Sequence, residues 1–128
     1  MTTIAQFLRQ TLRNQHNLLD QAVGDLTLEQ LHWVPPGTNA NHIGFTLWHY
    51  VRTEDNIVQF ILQDRKPTIW VEGSYHEKWG LERTVRVMPF GEIPARQALG
   101  MVVLTHGHGH LGEICVLRVL QGLPSSLI

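Results

Sequence analysis

A single cysteine in 128 residues removes two possibilities at once. Cys115 has no second thiol to pair with, so neither an intramolecular disulfide nor a thiolate metal cluster can form within the chain. This usage fits a reducing compartment, and a cytoplasmic protein is expected. Charge is also sparse. Ten Lys and Arg stand against eleven Asp and Glu, for a formal net charge of −1. No run of Lys or Arg is long enough to make a basic patch, so neither nucleic acid nor an anionic membrane is an expected partner. No apolar run approaches the roughly 20 residues of a membrane span. The opening "MTTIAQFLRQ" lacks the charged start and apolar core of a signal peptide.

Histidine, tryptophan and glycine are what the chain has: eight, four and eleven. Its length predicts one domain over residues 1–128, with an ordinary hydrophobic core. Residues 3–23 read as an amphipathic helix, with Ile4, Leu8, Leu12 and Leu19 on one stripe, His16 on the same stripe, and Gly24 as the stop. Thr27 and Gln30 match a capping box that starts a short helix over 27–31, and "PPG" at 35–37 breaks the chain. Residues 40–64 read as a second long helix, capped by Asn39 or Asn41 and followed by Pro67. Residues 65–93 have no clear period and read as a long, partly ordered connection in which "SYHEKWG" forms a turn or two of helix. A third long helix is predicted over 94–121. Pro94 suits its first turn, and Gly122, Leu123 and Pro124 mark its end. Every element read this way is helical, so the fold class is all-α, a helical bundle.

The stretch "LTHGHGHLGEI" at 104–114 carries the chemistry. Strict alternation of His106, His108 and His110 would put all three on one face of a strand. The flanking apolar spacing is helical, however, and at about 100° per residue His106 and His110 share a face while His108 points the other way. Glu113 rejoins the His106/His110 face and can accept a hydrogen bond from one of the two rings. Gly107, Gly109 and Gly112 disfavour helix, which suggests close approach by a neighbouring helix or a ligand. Two imidazoles four apart on a helix can chelate one divalent ion, with a third ligand from elsewhere. The other reading is a pair of histidines flanking a polar stripe.

The second long helix offers the third ligand. His42 and His49 lie within about 20° of one face, with Thr46, Thr53 and Asn56 near the same line. Short polar groups beside histidines suggest the wall of a wet pocket. A bundle seam with backbone hydrogen bonds is the competing reading, stronger for His42 than for His49. His49 is the better ligand because it sits mid-helix, where a facing helix can meet it.

Two familiar metal motifs are excluded. Gly107 stands where a zincin helix carries its general-base Glu. Glu54 is five residues from His49 and points away from it, so no di-iron carboxylate set is present. Cys115 faces away from the histidine pair and reads as a core residue. His16 and His32 read as surface or seam histidines, and Trp48 as core or interface. His76, Tyr75 and Trp79 form either a lid over the site or a surface cluster.

Three segments, "IGFTLWHYVRTEDNIVQFIL", "HGHGHLGEICVLRVLQG" and "EGSYHEKWGL", resemble the second helix, last helix and connecting loop of DinB-like proteins. The resemblance implies an up-and-down four-helix bundle with a divalent metal, zinc or nickel, on His49, His106 and His110. It also implies a homodimer and, in some members, transferase or isomerase chemistry on small-molecule thiols. Only three long helices are evident here, so the fourth is either reduced or supplied by a partner subunit. His42 and His108 are not part of the family motif. The expected function is a metal-dependent enzyme of the thiol-dependent S-transferase or hydrolase type. His42, Thr46, Thr53 and Glu113 are expected around the metal. The alternatives are a non-catalytic bundle with a structural metal, or a small-ligand or stress-response protein with an apolar pocket near Phe45 and Trp48.

Overall fold

The computed structural model describes residues 1–81 and 95–125. Helix α1 runs Ile4–Val23 and begins with a capping box: the Thr3 side chain accepts from the Gln6 amide while the Gln6 side chain accepts from the Thr3 amide. Helix α2, Leu28–His32, starts with the predicted box between Thr27 and Gln30. Helix α3 spans Ile43–Asp55 and continues as a π-helical segment, Asn56–Ile61. Two single-turn helices follow, α4 (Ile69–Glu72) and α5 (Tyr75–Lys78). Helix α6, Ala95–Gln97, runs through a second π-helical segment, Ala98–Leu104, into α7, Thr105–Leu120. Among the described residues there is no strand, and no helix is long and apolar enough to cross a membrane.

The fold is an all-α bundle in which α7 packs against both α3 and α1, and α2 leans on α3. One buried cluster joins Leu19 and Ala22 of α1, Ile43 and Tyr50 of α3, and Leu111, Ile114 and Leu117 of α7. A second, around Ile57, Ala98 and Val103, joins the two π-helical segments. The fully buried residues of α1 are Gln15, Leu19 and Ala22; of the predicted apolar stripe, Leu19 is buried, Leu8 is partly buried, Leu12 is partly buried against the second cluster, and Ile4 is exposed. Phe7, one turn further on, is exposed as well.

Two boundaries differ from the expectation. Helix α3 is capped by His42, whose Nδ1 accepts from the Phe45 amide at 3.0 Å, and not by Asn39 or Asn41. An imidazole nitrogen with a free lone pair can fill the position that usually takes a short oxygen side chain. The segment after Pro67 holds α4 and α5, both single turns, with "SYHEKWG" supplying α5 as expected. The remainder of the predicted connection, 82–93, and Pro94 lie outside the described residues. The end of α7 matches the reading closely. Gly122 has φ +80, its amide bonds Val119 O at 2.9 Å, and the Leu123 amide bonds Arg118 O at 3.0 Å. These two bonds are those of a Schellman motif.

Candidate metal centre

Three histidines from two helices converge. His49 comes from the middle of α3, and His106 and His110 from the first two turns of α7. Helical phase is undisturbed over both stretches, because the π-helical segments lie after Asp55 and before Thr105. His106 Nε2 stands 3.3 Å from His49 Nε2 and 2.9 Å from His110 Nε2. One ligand atom from each of the three lies within 4.8 Å of the others. Tetrahedral ligands at ~2.1 Å from one zinc ion would lie about 3.4 Å apart, so the spacing suits a shared divalent cation.

The hydrogen-bond chemistry leads to the same fit. The Glu113 carboxylate, Oε2, lies 2.8 Å from His110 Nδ1 and can only accept there. Neutral His110 therefore carries its proton on Nδ1 and presents a lone pair on Nε2. That lone pair faces His106 Nε2, which also faces His49. A neutral imidazole has one proton for two nitrogens, so His106 Nε2 cannot satisfy both neighbours with N–H···N bonds. A cation that accepts all three lone pairs does. His106 Nδ1 is buried without a hydrogen-bond partner, so it is not held as a lone-pair acceptor by any neighbouring donor. Burial, followed by the neighbouring His110, holds His49 below the usual imidazole range. The same causes, with His49 added, lower His106. Both rings are thus neutral at pH 7, the form that ligates metal.

The other predicted residues are placed as follows. Glu113 touches His110, as described. Thr53 Oγ1 donates to His49 O at 2.9 Å, which fastens the hydroxyl to its own helix. Thr46 is buried, and its Oγ1 has no hydrogen-bond partner. His42 is occupied as the α3 cap, and its ring packs edge-on against His32. His108 turns away and bonds Leu104 O at 2.8 Å. Cys115 packs against the apolar cluster.

Close approach of the helices depends on one glycine. A Cβ built on Gly107 would lie 1.9 Å from Gln15 Nε2 and 2.6 Å from Tyr50 Cε2. Gln15 is fully buried, and its Nε2 donates to Tyr50 Oη at 2.8 Å and approaches Val103 O at 3.4 Å. Tyr50 in turn donates to Glu54, which also meets His16 Nε2 at 2.8 Å. Burial, and then Glu54, push the Tyr50 hydroxyl strongly upward, so it stays a donor. This network joins α1, α3 and the second π-helical segment, with Gly107 of α7 packed close against Gln15 and Tyr50, and sequence reasoning missed it. The available signal was a glutamine at position 15 between Leu12 and Leu19 on the apolar stripe of α1. The Glu54 side of α3 borders a groove of about 410 Å³ lined partly by His16, Leu19, Leu47 and Val51, and none of the three converging histidines lines it.

The remaining member of the site's surroundings is aromatic. Phe45, one turn before His49, stacks nearly parallel to it, with ring centroids 6.2 Å apart and an interplanar angle of 6°.

Neither the curated proteins nor the solved structures contain a match to the chain. The sequence pattern of the DinB superfamily matches residues 11–85, a stretch that carries the greater part of α1, all of α2 to α5 and His49, and ends before His106 and His110. With more than half of its length matched, the chain belongs to the DinB superfamily.

Proposed function

We propose that this protein is a divalent-metal enzyme whose ion is held by His49, His106 and His110 and whose substrate is a small-molecule thiol or a hydrolysable compound. The convergence of three Nε2 atoms, 3.3 Å and 2.9 Å apart along the chain of contacts, carries the reading. Among the described residues only these three histidines form such a group, and a closed structural site normally takes four protein ligands. Three therefore favour a reactive centre over a structural staple. Zinc and nickel both suit the all-imidazole donor set.

When bound, a divalent ion would lower the pKa of a thiol or water so that it attacks at neutral pH. The chain's own part is positional. His49 and His106, kept neutral by burial, offer lone pairs at pH 7. Glu113 fixes the tautomer and plane of His110. Gly107, by admitting Gln15 and Tyr50, lets α7 approach α3 closely enough for His49 to meet the pair on α7.

Elemental analysis of untagged protein tests the reading. The wild type is expected to retain about one ion per chain, and His49→Ala and His106→Ala to lose it. Glu113→Gln is expected to keep the ligands and weaken metal affinity about 10- to 100-fold. Equal metal content in wild type and both alanine variants would refute the centre.

A further inference from the structure

An aromatic shelf leads away from the histidine cluster on the α3 side. Phe45 lies against His49 as described and is 40% exposed. Trp48 is tilted against Phe45 with centroids 5.8 Å apart, and Trp70 meets Trp48 edge-on at 6.1 Å. Trp79 meets Trp70 edge-on at 5.4 Å and remains 59% exposed. A continuous set of rings thus runs from the histidine centre to the surface.

The shelf is firmly mounted. Asp55, at the end of α3, accepts the Ile69 amide at 2.8 Å and the Trp70 amide at 3.0 Å, which fixes the start of α4. Arg52 pairs with Asp55 at 2.9 Å and lays its guanidinium 4.8 Å from the centre of the Trp70 ring. Trp70 is buried beneath this arrangement. Packing α4 and α5 onto α3 requires the buried Trp70 and the partly buried Trp48. It does not require a large ring at position 45, where a polar side chain would serve an exposed helix surface equally well. Phe45 instead keeps an open ring one turn from His49, its plane nearly parallel to that of the imidazole.

We infer that Phe45, backed by Trp48, is the specificity-determining side chain of the histidine centre, and that it selects ligands carrying a flat aromatic or conjugated group. The inference rests on the proposed metal centre. A molecule whose donor atom reaches the ion would lay its flat group on the Phe45 ring, in the offset or edge-on arrangement that aromatic pairs prefer. A purely aliphatic ligand of the same donor chemistry would lose that contact.

Two hydroxamates separate the terms. Acetohydroxamate and benzohydroxamate share one metal-binding group and differ in the flat ring. Binding of each to the zinc-loaded full chain is followed by titration calorimetry and by quenching of tryptophan fluorescence. Benzohydroxamate is expected to bind about tenfold more tightly, in line with one aromatic contact and its buried area. Phe45→Ala and Phe45→Leu should both lower that ratio to below about threefold, each ratio being taken on protein of measured zinc content. The leucine variant keeps apolar bulk and tests the flat ring itself. Equal affinities in the wild type would overturn the shelf while leaving the metal centre standing. A preference that survives both substitutions would place the flat group elsewhere and also overturn it. Failure to retain zinc, or zinc retention with neither hydroxamate binding, would overturn the proposed centre and this inference with it.

Discussion

Gly107 and Gly109 are two residues apart and meet opposite surroundings. A methyl group at 107 would collide with Gln15 and Tyr50, whereas at 109 and at 112 nothing lies within 4 Å. Gly107→Ala should therefore destabilise the fold by about 1–3 kcal/mol, as overpacking does. Gly109→Ala should stabilise it by about 0.5–1 kcal/mol, because an exposed helical glycine has more backbone freedom to lose. Urea denaturation of the two variants tests both signs, and a destabilised Gly109→Ala would show that its open face is needed by something. The glycines were legible in the sequence as a cost needing a reason. Which of them faced a neighbouring helix was not, since that depends on where Gln15 points across the bundle. The histidines were more readable. A spacing of four on one helix fixes a shared face, whatever the helix packs against.

Segments with a plain 3.6-residue period were read correctly wherever that period persists, over most of α1, Ile43–Asp55 and Thr105–Leu120. The π-helical segments Asn56–Ile61 and Ala98–Leu104 were not foreseen. A π-helical turn takes in one additional residue and leaves no compositional mark. It did no harm to the metal prediction, because all three ligands lie in unbroken α-helix. The His42 cap and the Asp55 bonds to α4 were missed for a related reason: both depend on a side chain's reach, which spacing does not encode. One inter-element tie has a pH signature. Arg118 of α7 is buried and bonds Asp25 through both terminal nitrogens, at 2.6 and 3.0 Å, and Ala22 O at 2.9 Å. The hydrogen bond and charge of Arg118 hold Asp25 below its ordinary value of 3.8. A carboxylate lowered on folding contributes stability that is complete above its unfolded value and is lost as pH falls through the folded one. Asp25→Asn should melt at a lower temperature than wild type at pH 7, and the gap should close as the pH falls below about 4. Parallel melting curves from pH 7 to pH 2.5 test this, and a gap that persists in acid would contradict it.

At the scale of the whole molecule, α1, α3 and α7 supply three long rods, and between Ile61 and Ala95 the described residues form only single turns. A groove between α1 and α3 leaves Val51 exposed along it. We propose that a second copy of the chain takes part there. Light scattering should then give twice the 14.6 kDa chain mass, and Val51→Glu should shift the protein toward monomer. A monomeric wild type at micromolar concentration would remove the proposal. The helix class and the bundle were legible from periodicity alone. The assembly was not, because an exposed apolar side chain does not specify what covers it. The histidine centre has a consequence at this scale as well. His49 and His106 are 57 positions apart. An ion shared between them would close a loop of that length, and for a crosslink of this size chain entropy alone favours the folded state by about 4 kcal/mol. A chain with one cysteine cannot tether itself with sulfur. Metal at this centre would be a reversible tether in its place, so a chelator should loosen α3 from α7 and leave each helix's own hydrogen bonds intact.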